Sequence, residues 1–189
     1  MTDKGNESQL PTPADLARVL RGGVRNAESL AITGPIREAV ADRLIAECGG
    51  AVEIARAGAP GKEGSHVQFL DCIDLGKEGL FPTLRFNRLI AWWGINFCGG
   101  RDEVDILFDA LQSVGLSNLR WPVDRGTGVP EAPLDVWRGG GYVRAFRHLT
   151  AGQVEDLATL DGLVSGMASD LWWWHQRLEQ VKVLASFLK

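Results

Sequence analysis

Asp71 and Asp74 are the pair of carboxylates best placed for chemistry in this chain, on or just past an expected strand. Two carboxylates at a strand end are what metal-assisted hydrolysis uses to hold a divalent cation. The plainer use is a strand end facing water. Lys62, Glu63, Ser65 and His66 share a loop with Gly61 and Gly64. A phosphate-binding loop needs Gly-x4-Gly-Lys-Ser/Thr before a helix, and this spacing is shorter, so a hairpin loop is expected. No Gly-x-Ser-x-Gly is present to carry an α/β-hydrolase nucleophile. Cys48, Cys72 and Cys98 are widely spaced, without a Cys-x-x-Cys, and His66, His148 and His175 are scattered. No metal site is expected from them, no cofactor is implied, and the cysteines read as buried free thiols.

A second group of residues suits binding. Arg85 and Arg88, with Trp92, fall where the outer face of a sheet is expected, and Arg144 and Arg147 add basic charge beside Arg138, His148 and the run Gly139-Gly140-Gly141. Cations next to an indole form a surface that stacks bases or planar ligands. The alternative is ordinary sheet arginine with its stem laid on tryptophan. A net charge of −4 and a pI near 5.4 argue against broad nucleic-acid binding, which uses clustered Lys and Arg to displace counterions, but they allow a local patch.

Two resemblances follow from the same stretch. A helix followed by antiparallel strands bearing Asp71 and Asp74 resembles the core of restriction-type nucleases. That pattern places an acid and a lysine one residue apart on the next strand. Here two residues separate Asp74 from Lys77, and Arg85 occupies the third strand. The run from the second helix through Gly100 resembles the N-terminal DNA-binding domain of modification-dependent restriction GTPases, which implies a flipped base held among aromatic side chains. The Pro-Trp of that family is missing, with Gln68-Phe69 in its approximate place.

The most regular pattern lies at the C-terminal end. Leu157, Leu160, Val164, Met167, Leu171, Trp174, Leu178, Val181, Ala185 and Leu188 succeed one another at steps of three and four. That is a heptad seam, and seams of this length imply a facing helix. Thr150 and Gln153 form an expected capping box, so one helix is read from Thr150 to Lys189. Gly162 and Gly166 beside Ser165 and Ser169 make a small-residue patch where a second helix can approach, or where this one breaks. Trp172, Trp173 and Trp174 lie about 100° apart in turn, so one face cannot bury all three. The seam predicts pairing with a copy of itself, docking of a partner protein, or packing on its own domain.

The elements that must position these residues read in order. Residues 1–10 are expected as a flexible tail. Thr12-Pro13-Ala14-Asp15 opens a helix closed by Gly22-Gly23, and Gly34-Pro35 opens a second, with Ile36, Val40 and Leu44 on one face. From Ala51 the period becomes two, giving strands over 52–57, 67–75, 83–88 and 91–97 in an antiparallel meander. Ala91, Trp93, Ile95 and Phe97 share one face, and Trp92, Gly94 and Asn96 the other. Asp102 caps a third helix; residues 117–141 read as irregular, and 142–147 as a last strand.

The expected fold is α+β: an antiparallel sheet of four to five strands with helices on one face, residues 11–149, followed by a long C-terminal helix, residues 150–189. A hydrophobic fraction of 45% with 23% charged residues fits a globular chain. MTDKGNESQLP lacks the apolar core of a signal peptide, and the apolar run from Leu89 to Cys98 is far shorter than the ~20 residues of a membrane helix, so a soluble cytoplasmic protein is expected. The expected role is a non-enzymatic interaction or assembly protein acting through its C-terminal helix. The alternative is a nucleic-acid module, or degenerate nuclease, using the Arg/Trp surface.

Overall fold

Thr12 begins the first helix as its side chain dictates. The Thr12 hydroxyl accepts from the Asp15 N–H at 3.2 Å, and the Asp15 carboxylate accepts from the Thr12 N–H at 3.1 Å, closing a reciprocal cap. The helix, α1, is Pro13–Leu20. It ends at Gly22, whose φ of 71° is the left-handed conformation that favours glycine, and whose N–H donates to Val19 O. A computed structural model describes residues 10–24, 26–48, 55–57, 71–74, 80–86, 90–98, 101–113, 135–139 and 142–187. The 59–65 loop, Arg88 and residues 117–134 lie outside the described residues.

The second helix departs from the sequence expectation. α2 is Asn26–Cys48 and runs straight through Gly34-Pro35 instead of starting there. An interior proline removes one helical hydrogen bond and crowds the carbonyl four residues back, at a cost of about 3 kcal/mol. Packing offsets it. Ile32 is buried against Val19 of α1, and Arg18 pairs with Glu28 at 2.9 Å, so the first turns are anchored before the proline is reached. The Thr33 hydroxyl donates to Ser29 O at 3.1 Å within the same buried stretch.

Among the described residues six strands form one antiparallel sheet: β1 (Ala55–Ala57), β2 (Asp71–Asp74), β3 (Leu80–Phe86), β4 (Ile90–Cys98), β5 (Asp135–Gly139) and β6 (Tyr142–Thr150), in the order β1-β2-β3-β4-β6-β5. The expected meander is β1 to β4. β5 is an addition, found in a stretch read as irregular: Trp137 and its neighbours pair with β6 along the sheet edge. Its glycine-rich surroundings gave no alternation to read, and only the pairing partner reveals it. α3 is Arg101–Ser113 and packs on β6.

The C-terminal region is two helices, not one. The capping box forms as expected: the Gln153 amide oxygen accepts from the Thr150 N–H at 2.9 Å and from its hydroxyl at 3.0 Å. But α4 is only Ala151–Glu155, and α5 runs Asp161–Phe187. The break is at 156–160, not at Gly162–Gly166, through which α5 passes unbroken. α4 leaves β6 to pack on α1, where Arg21 pairs with Glu155, while α5 lies along α2 and the sheet. One rod cannot follow both directions. Asp161 puts a carboxylate in the first turn of α5, at the positive end of the helix.

The core is shared by α1, α2, β3, β4, β6, α4 and α5. Leu16 and Leu20 of α1, Ile36, Val40 and Leu44 of α2, Leu84, Phe86, Ala91, Trp93 and Leu149 of the sheet, and Leu163, Val164, Met167 and Leu171 of α5 form one buried cluster. The cluster therefore takes in side chains on both sides of position 149. α5 packs against α2, α3, β3 and β4.

Candidate functional site

The seam residues divide. Leu160, Val164, Met167, Leu171 and Trp174 are buried within this chain, and Leu157 is half-buried against the same core. Leu157 and Leu160 stand in the break and not on α5. A side chain with no exposed surface offers nothing to a partner without movement, so this part of the seam faces the chain's own sheet and α2. Leu178 and Val181 lie further along α5. The small-residue patch also has an intramolecular neighbour. Arg43 of α2 donates to the Ser165 hydroxyl, and the Ser169 hydroxyl donates to Glu47 at 3.1 Å.

The three tryptophans fan out as their ~100° spacing requires. Trp174 is buried, while Trp172 and Trp173 are half-buried. Trp172 stacks on His175 with ring centres 5.4 Å apart, and Trp173 meets Trp174 edge to face at 5.0 Å.

The cation and aromatic surface is rearranged by sheet register. Arg85, Trp92 and His148 align across β3, β4 and β6, so they share one face. Arg144 pairs with Asn96, which gives it a register position on that face. Arg147 pairs with Trp93 and belongs to the opposite, helix-covered face, because strand positions alternate. The expectation of a single basic surface containing Arg147 is therefore corrected. Trp92 is only 3% exposed, lies edge to face with Phe146 at 5.5 Å, and has no open ring face on which a base could stack. Asp71 pairs with Phe86 and Asp74 with Thr83, three positions apart on one strand. An odd separation puts the two positions on opposite faces of β2. Among the described residues no group of three or more His, Cys, Asp or Glu could hold a metal ion, and no helix is long and apolar enough to cross a membrane.

One buried polar cluster emerges that the sequence reading missed. Asp170 of α5 is 5% exposed, and its Oδ2 accepts from Trp93 Nε1–H at 2.8 Å. Arg147, 7% exposed, brings its Nε to 3.7 Å from the same oxygen. The carboxylate thus sits where α5 meets β4 and β6. Burial pushes its pKa up to about 6, against the opposing pull of the Trp93 hydrogen bond and the Arg147 charge. The signal was present in the sequence: Asp170 lies three after Met167 and four before Trp174, on the apolar face, and a charge placed there needs a buried partner.

No protein-family model, no curated protein and no solved structure matches this chain.

Proposed function

We propose that this is a non-enzymatic interaction or assembly protein, and that the outer turns of α5 oligomerise it or dock a partner. The supporting observation is the length of α5 and the apolar spacing along it. The helix has 27 residues, about 40 Å at 1.5 Å per residue. Among the described residues, its buried contacts with the sheet and α2 run from Leu163 to Trp174. The helix continues to Phe187, and the apolar spacing continues with it at Leu178, Val181 and Ala185, flanked by Leu184 and Phe187. Half-buried Trp172 and Trp173 sit at the junction, and large amphipathic aromatics of this kind anchor interfaces.

The shared core dictates the test. Truncation at Leu149 would remove core side chains and unfold the domain, so the outer turns must be altered alone. Sedimentation velocity on the full chain and on a Leu178→Glu, Val181→Glu double variant separates the two roles. The expected result is a wild-type mass above the 20.6 kDa monomer, or a stoichiometric complex with a co-purified partner, lost in the variant while the circular dichroism stays unchanged. A wild-type chain that sediments at 20.6 kDa at every concentration, with no stoichiometric partner, overturns the reading.

A further inference from the structure

We propose that the outer turns of α5 dock a partner of one particular chemistry: an amphipathic helix whose apolar seam is flanked by carboxylates, supplied by another protein and not by a second copy of this chain. The proposal rests on the reading of α5 as an interface and decides between the two roles that reading leaves open.

The place follows from how α2 and α5 run together. Arg43 meets Ser165 and, one turn on, Glu47 meets Ser169, so the two helices are parallel and in step. The same spacing puts Cys48, the last residue of α2, level with Asp170. α5 continues through residues 171–187, about 25 Å at 1.5 Å per residue, past the last turn of α2. Trp172, Trp173 and His175 stand at that boundary, each of them half-buried.

The chemistry follows from the heptad register. With Leu178 and Ala185 at position a and Val181 at position d, the flanking e and g positions of the outer turns are His175, Arg177, Lys182 and Leu184. These positions hold two cations and no carboxylate, while Glu179 falls at position b, away from the seam. Flanking charges set partner choice in paired helices, because like charges across the seam repel and opposite charges attract. In a parallel pair, position g faces position e of the following heptad on the other helix. Two copies of this chain would then set Arg177 of each against Lys182 of the other. In an antiparallel pair e faces e and g faces g, which sets cation against cation, histidine or leucine. Neither arrangement gives either cation an opposite charge. A helix with Glu or Asp on both flanks does so for Arg177 and Lys182 together, while its a and d side chains match Leu178, Val181 and Ala185. The competitors within this chain are the carboxylates of α3, which packs on α5 and has Asp102, Glu103 and Asp109 exposed.

The probe is a fluorescein-labelled synthetic helix with Leu at a and d and Glu at e and g, whose own charges keep it from pairing with itself at neutral pH. Its control carries Lys at e and g. Fluorescence anisotropy with the full chain at low salt should show saturable binding of the acidic peptide, roughly tenfold or more tighter than the basic one and weakening as salt rises. An Arg177→Glu, Lys182→Glu variant should invert the preference; the comparison of the two peptides on the unaltered chain stands even if that variant fails to fold. Equal binding of both peptides overturns the proposal. So does acidic-peptide binding that appears only after Asp102→Asn, Glu103→Gln and Asp109→Asn, because the cations are then satisfied within the chain. Sedimentation of the chain alone separates this failure from failure of the reading beneath it. A wild-type mass above 20.6 kDa that the Leu178→Glu, Val181→Glu variant loses keeps α5 as an interface but gives it to a second copy, which overturns the proposal alone. A 20.6 kDa chain that binds neither peptide and brings no stoichiometric partner overturns both.

Discussion

Leu171→Ala distinguishes a helix that is core from a helix that waits for company. Leu171 is 0% exposed and belongs to the cluster that joins α5 to α1, α2 and the sheet. The substitution removes three carbons, about 2.4 kcal/mol of transfer free energy at ~0.8 per carbon. A cavity term adds to this, because the surrounding side chains come from three different elements and cannot all close in, and measured core Leu→Ala losses run from about 2.7 to 5 kcal/mol. A loss of about 3–4 kcal/mol is expected, which for a chain of 189 residues lowers the Tm by roughly 10 °C. Urea denaturation followed by circular dichroism, run at two protein concentrations a hundredfold apart, measures it. The loss should be the same at both, since the contact is within one chain; a contact between chains would weaken on dilution. A loss below about 1 kcal/mol, or one that depends on concentration, would refute the assignment of Leu171 to the intramolecular core.

Four further outcomes rest on local geometry and can be read from urea midpoints. Gly22→Ala should cost about 1 kcal/mol, because a Cβ at φ 71° meets its own backbone at the end of α1. Thr12→Ala should cost about 1 kcal/mol by leaving the Asp15 N–H without its cap, and the Asp15 carboxyl, now held below its usual value mainly by the Thr12 side-chain hydrogen bond, should titrate closer to an ordinary aspartate by NMR. Gly152→Ala should stabilise by up to about 1 kcal/mol, since a Cβ there meets nothing within 4 Å in a helical turn; Gly34→Ala meets equally open space but should gain less, because a Cβ preceding Pro35 crowds the proline ring.

Sheet register divides the residues of the Arg/Trp surface, and the reason is specific. Sequence alternation correctly divided β4 into an Ala91–Trp93–Ile95 face and a Trp92–Gly94–Asn96 face. It could not register β6 against β4, and one residue of register decides whether Arg147 joins Trp92 or lies beneath α5. Nor could alternation show that Trp92 and Phe146, on the face away from the core cluster, are also buried.

Local chemistry alone determined the start of every helix that carries a strong cap: Thr12 with Asp15 and Thr150 with Gln153 satisfy backbone groups within one turn, and no distant residue can change that. The stop at Gly22 and the two-faced strands β3 and β4 were fixed in the same way, by bond geometry and period. The heptad spacing determined that α5 has a long apolar face, but a spacing states only that something covers that face. Tertiary structure decided what covers it between Leu163 and Trp174, because burial depends on which surface is nearest in space, and here α2 and the sheet of the same chain are nearest. It also decided that α2 passes through Pro35, that the chain breaks at 156–160, and that Asp170 is enclosed with Trp93 and Arg147. Each is settled by contacts between residues far apart in sequence, whose free energies outweigh the local preferences that could be read in order along the chain.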